Sequence, residues 1–308
     1  MARSILVGVD PPRILTELDL DGAAFAVPVA GGDGVGFHED NLVTPASVMK
    51  VQVALTIENA IATGGIDGSE RRSISPESVR DLVLAMAAAL SLIVSIETSS
   101  RISEIGALPD RSGSDELIGL VGLDQINQTT RDIGMVRTRI ASTLGDMLDS
   151  MASDVGFSGY AALEAHGRAS SGSGFEGQIR CKVGASAALD PSRGSCTTAR
   201  ETAALLKAIW SDQAGPPQAC AEVRKAMARQ LTRQRIASGF GPSVTVAAKS
   251  GGLAGIIRNE AGVIAFPDGA EYAVAVFTRA DPAFGTNPAL IDAAIGEIAR
   301  TLVNQLRA

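Results

Sequence analysis

Two periods organise the apolar positions of this chain. At both ends they alternate or run continuously over short stretches, as in strands, and between the ends they recur every three or four residues, as on helices. Residues 24–29 and 35–39 read as two strands around the glycine-rich turn Gly31-Gly32-Asp33-Gly34. Residues 243–251, 257–266 and 271–280 (SVTVAAKSG, IRNEAGVIAF and EYAVAVFTRA) read as three more. The last two are joined by the tight turn Pro267-Asp268-Gly269 into a hairpin. Residues 15–21 predict a short helix and residues 47–63 a longer one. Residues 75–96 open with a capping Ser75, Pro76 and Glu77, then turn apolar all round, the mark of a buried helix. Amphipathic helix follows over 114–135, with Gly122 and Gly134 as stops, then over 138–152, 160–166, 197–212 and 219–233, and a closing helix spans 287–306. Residues 64–72 and 167–178 read as loops, and residues 97–114 fit no regular element.

Strands at both ends with helices between them predict an α/β (α+β) protein. Its terminal strands join into one antiparallel sheet with flanking helices, and the middle of the chain forms a helical lobe. The expected division is a discontinuous sheet lobe, residues 1–46 and 238–308, and a helical lobe, residues 47–237.

Composition narrows the function. A 308-residue chain with 45% hydrophobic residues is globular, and a formal net charge of -7 with no basic run argues against a nucleic-acid surface. The three cysteines (Cys181, Cys196, Cys220) lack metal-type spacing and read as reduced thiols. The only two histidines, His38 and His166, read as structural or exposed, which leaves no basis for a histidine triad or a zinc site. The apolar run over 82–96 is short of the ~20 residues that cross a bilayer. The N-terminus (MARSILVGVDPPR) is too brief in its apolar part for a secretory signal, so a cytoplasmic protein is expected. A small-molecule substrate is the expected partner, with no nucleic acid, no membrane, no metal and no organic cofactor; composition does not fix an oligomeric state.

The chemistry concentrates in two short motifs. In Thr44–Lys50 (TPASVMK) Ser47 and Lys50 stand one helical turn apart at the start of a predicted helix. A serine becomes a good nucleophile when a base takes its proton, and a lysine can be that base once burial or a second cation lowers its pKa. Free N–H groups at a helix start favour negative charge developing nearby. The second motif, Lys249-Ser250-Gly251-Gly252, ends an apolar strand in a chain where lysine is rare.

Together the motifs resemble the penicillin-recognising serine enzymes, specifically class A β-lactamase-like proteins. The resemblance covers most of the chain, including residues 116–135, 197–210 and 247–280. It implies a β-lactamase-like fold and a serine hydrolase acting through an acyl-enzyme on an amide, lactam or ester. It also implies that Ser47 is the nucleophile and Lys50 its general base. Lys249 would supply positive field, Ser250 would bind a substrate carboxylate, and the N–H groups of Ser47 and Gly252 would form the oxyanion hole beside Gly251. Arg258 on the next strand is a candidate carboxylate anchor or a surface arginine.

Two family features do not align. The Ser-Asp-Asn motif falls on Pro109-Asp110-Arg111 counting from one side and near Ser91 from the other; Ser114 is a further candidate, and no serine at all is an alternative. The deacylating glutamate falls near Val183, with Glu176 and Asp190 out of register and read as solvated loop charges. Water attack on an acyl-enzyme without a placed base is slow. Weak activity on β-lactams is therefore expected, and a catalytically impaired binding or sensor protein is the alternative.

Overall fold

The computed structural model describes residues 10–69, 71–73, 99–101, 111–169, 175–283 and 287–308. The helix expected over 75–96, with Ser91, lies outside the described residues, as do Pro109 and Asp110.

Helix α1 (Pro11–Glu17) starts earlier than the sequence pattern suggests, because Pro11 and Pro12 hold its first positions, whose N–H groups need no helical partner. Asp19 turns the chain in a left-handed conformation, and β1 (Leu20–Pro28) begins at once, followed by β2 (Val35–Phe37). A 3₁₀ turn, Ala46–Met49, leads into α2 (Lys50–Ala62). At the end of the expected loop 64–72, β3 (Arg71–Ser73) pairs with β4 (Ser99–Arg101), which lies in the stretch that fitted no regular element. The remaining helices are α3 (Arg111–Val121), α4 (Leu123–Asp132), α5 (Leu144–Asp154), α6 (Tyr160–Ala169), α7 (Phe175–Gly184), α8 (Ala199–Trp210) and α9 (Pro217–Ala228). Strands β5 (Thr245–Leu253), β6 (Ile257–Ala265) and β7 (Glu271–Ala280) precede the closing α10 (Pro288–Arg307).

The main sheet is antiparallel in the order β2-β1-β7-β6-β5, so the strands from the two chain ends meet where Ala24 pairs with Val276. Both faces of this sheet are covered, which explains the nearly unbroken apolar run of β7. Val274 and Val276 pack against Ile295 and Ile298 of α10, while Ala273, Ala275 and Phe277 face Leu205, Leu206 and Ile209 of α8. A third cluster joins Met49, Val53 and Ile57 to Leu117, Ile126, Leu144, Met147 and Leu253. Helix α2 runs through the middle, buried from Lys50 to Ile57 save Ala54. No helix among the described residues is long and apolar enough to cross a membrane.

One expectation fails informatively. Residues 138–142 are not helical: Arg139 and Cys196 exchange backbone N–H···O=C bonds, each 2.9 Å, and Thr143 caps α5 by accepting from the Asp146 N–H at 3.1 Å. Residues 140–195 thus form an excursion that leaves and rejoins the body at this bridge. It carries α5, α6 and α7, so of the loop expected over 167–178 residues 167–169 and 175–178 are helical and the rest lies outside the described residues.

On the α10 side, the edge of the sheet is pinned by buried charge. Arg235 Nε donates to Asp292 at 2.8 Å, and its Nη1 reaches the carbonyls of Gly251 (2.8 Å) and Asn259 (2.6 Å). Arg258 makes a bidentate pair with the same carboxylate, 2.6 Å at its shortest. Asp292→Ala would strand two guanidinium groups, one of them almost wholly buried. Urea unfolding should show a loss of about 3–5 kcal/mol, the scale for breaking a buried pair; a loss under about 1 kcal/mol would contradict this role.

Candidate active site

Ser47 sits on the 3₁₀ turn that opens α2, and the turn is strained. Ala46 has φ 48°, a left-handed conformation that costs an L-residue about 1–3 kcal/mol. The surroundings hold it there. Asn259 Nδ2 donates to the carbonyls of Thr44 (2.9 Å) and Pro45 (3.2 Å), and Thr44 Oγ1 donates to the Leu189 carbonyl at 3.1 Å. Strand β5 lies hard against the same turn. A Cβ added to Gly251 would stand 2.9 Å from the Pro45 oxygen and 3.2 Å from the Val48 nitrogen, so only glycine permits this approach.

Ser47 is half-buried and Lys50 is buried, and both open on one cavity of about 210 Å³ with Gly252 and Leu253 of β5. Strand alternation puts Lys249 and Gly251 on the helical face of the sheet and Ser250 on the α10 face, with Val246 and Ala248. Lys249 donates to the Ser250 carbonyl at 2.8 Å. Burial first, and repulsion from Lys50 second, bring its pKa down to about 7. The Ser250 N–H, on the free edge of β5, donates to the Gln230 side-chain oxygen. Gln230 Nε2 donates in turn to Glu260 at 2.9 Å; burial raises the pKa of that carboxyl to about 7. Arg258, the candidate anchor, is committed to Asp292 rather than presented to the cavity.

The wall facing Ser47 comes from the excursion: Leu144, Met147 and Leu148 of α5 and Tyr160 of α6. No carboxylate lines the cavity among the described residues. Val183, where counting put the glutamate, is in α7 and buried in the third apolar cluster. Asp190 is partly exposed, and the Ser192 hydroxyl and Arg193 guanidinium hold its carboxyl well below the usual carboxylate range. Ser114 is buried on α3 and is not part of the cavity wall.

Comparison with known proteins agrees with this architecture. The model of the beta-lactamase enzyme family matches residues 19–306. The chain belongs to that family. A relative, the beta-lactamase regulatory protein BlaB of Streptomyces cacaoi, is 26% identical over 306 residues, 95% of each chain. Among solved structures, a class A β-lactamase reconstructed as the last common ancestor of Gram-negative bacteria superposes with a TM-score of 0.72, at 16% identity over 99% of each chain. PBP-A superposes with a TM-score of 0.67, at 18% identity over 96% of this chain and 95% of its own. A PBP-A mutant solved as an acyl-enzyme complex with penicillin G also scores 0.67, at 17% identity over 99% of this chain and 96% of its own.

Sequence reasoning missed the supports of the site: Gln230, Arg235, Asn259, Glu260 and Asp292. A signal was present. Asn259 and Glu260 interrupt an apolar strand that is buried on both faces, and polar residues survive there only with partners.

The titration of Lys249 gives a stability prediction. Its pKa is about 7 folded against 10.5 for the free side chain. Between those values the unfolded chain holds a proton that the native state lacks, so this group makes stability rise with pH. From pH 7 to 9 the wild type should gain on Lys249→Met by up to about 1.4 kcal/mol per pH unit in chemical unfolding. Parallel pH profiles would refute the depressed pKa.

Proposed function

We propose that this protein is a serine hydrolase of β-lactamase fold that attacks an amide, lactam or ester carbonyl through Ser47. The observation that carries the reading is the convergence of Ser47, buried Lys50 and the free edge of β5 at Gly252 on one cavity, with Lys249 close enough to Lys50 for their charges to repel. Lys50 takes the Ser47 proton as the Oγ–carbon bond forms. While it is protonated, Lys249 favours a neutral Lys50 by the same repulsion. The oxyanion meets the N–H groups of Ser47 and Gly252, donors of a kind worth ~3–4 kcal/mol each in such sites. When the intermediate collapses, the bond to the leaving nitrogen or oxygen breaks and that atom receives the proton.

A second reading has its own support: a sensor that is acylated and released slowly. The wall facing Ser47 offers no carboxylate among the described residues to activate water, and the curated relative is named as a regulatory protein. Both readings share the acylation step.

A fluorophosphonate probe tests that step. Labelling should occur on the wild type and vanish in Ser47→Ala, and Lys50→Ala should slow it ~10²-fold or more, the scale of a lost general base. Undiminished labelling of Ser47→Ala would remove Ser47 as the nucleophile, and an unchanged rate in Lys50→Ala would remove Lys50 as the base.

A further inference from the structure

We propose that α5 and the start of α6 form an acyl-group pocket that selects substrates whose acyl part is an uncharged hydrocarbon chain of several carbons. The inference rests on Ser47 as the acylated residue and adds the class of acyl group.

The cavity beside Ser47 has two ends of different character. Ser47, Lys50 and the backbone of Gly252 supply its polar end, where the carbonyl is held, and Leu144, Met147, Leu148 and Tyr160 supply the opposite wall. Leu144, Met147, Leu148 and Met151 follow one another at the spacing that puts them on one face of α5. The acidic residues of the helix are taken up in hydrogen bonds, Asp154 by accepting from the Ala187 N–H at 2.7 Å. Asp146 stands in its first turn beside the Thr143 cap, and Asp149 accepts from the Tyr160 N–H at 2.8 Å, fixing α6 against α5. From α3, the Asp115 carboxylate accepts from the N–H groups of Leu144 and Gly145, each at 2.8 Å, which fixes the start of the wall. The wall is therefore anchored by hydrogen bonds and packed into the third apolar cluster, with Leu144 and Met147 almost fully buried and Leu148 half-buried at the rim.

An acyl chain leaving water for such a wall gains free energy with each methylene, whereas a charged chain would lose its hydration against a wall that, among the described residues, is built of Leu144, Met147, Leu148 and Tyr160. On this proposal the wall takes the acyl part and not the leaving group, so the preference should appear in acylation rates across esters that share one leaving group.

The test compares p-nitrophenyl acetate, butyrate and hexanoate, with each rate divided by that ester's alkaline hydrolysis rate. The corrected acylation rate should rise at least about tenfold from acetate to hexanoate, since each methylene removed from water is worth a factor of about four. Leu148→Asp, checked for folding by thermal unfolding, should collapse the hexanoate-to-acetate ratio toward one. If that variant does not fold, Leu148→Ala should lower the ratio and the wild-type series still decides. A flat wild-type series on a Ser47 that the fluorophosphonate labels would overturn the pocket and leave the nucleophile standing. Absence of Ser47 labelling would sink both.

Discussion

Strand β5 approaches the Pro45–Val48 turn closely enough that a methyl group on Gly251 would collide with backbone, and Asn259 on the neighbouring strand holds the carbonyls of Thr44 and Pro45. The geometry of the site depends on this contact. It keeps Ala46 in a conformation it would otherwise leave, aims Ser47 at the cavity, and sets the free edge of Gly252 beside it. Residues 215 positions apart in sequence meet here, which is why the sheet must draw on both ends of the chain.

Charge is divided by the sheet. On the helical face of β5 two lysines repel, and burial keeps the proton of Lys249 loosely held near neutral pH. On the α10 face Arg235, Arg258 and Asp292 form a buried cluster whose work is mechanical: Arg235 holds the carbonyls of Gly251 and Asn259, the two residues that position the Ser47 turn. The two lysines and this support thus lie on opposite sides of one strand. A change in the support is felt at the site through the position of the backbone.

The sheet, its hairpin and the closing helix were legible because strands covered on both faces carry apolar residues almost without interruption, and α10 keeps a clear helical period. The proposed reactive pair could be picked out as a candidate because Ser47 and Lys50 are close in sequence and share one helix start. What the pattern hid was long-range. The role of Asn259 needs Thr44 as partner, and the commitment of Arg258 needs Asp292, a residue buried on a helix face that is otherwise apolar. The excursion over 140–195 was hidden for another reason. Its strand-like start is set by the single bridge between Arg139 and Cys196, whereas the local residues have helical spacing. The same excursion explains why counting back from Thr197 ends at Val183 in a packed helix rather than at a base facing Ser47.

The central claim is that Ser47 takes an acyl group and that, with no carboxylate among the described residues of the wall facing it, release is slow. Intact-protein mass spectrometry over time, after mixing with a penicillin and then removing the excess, tests both halves directly. The account predicts an added mass equal to the whole lactam, mapped to the Ser47 peptide and persisting after the excess is gone. An adduct on another residue, or neither adduct nor consumption, would contradict the acylation half; rapid consumption with no lasting adduct would contradict the slow release.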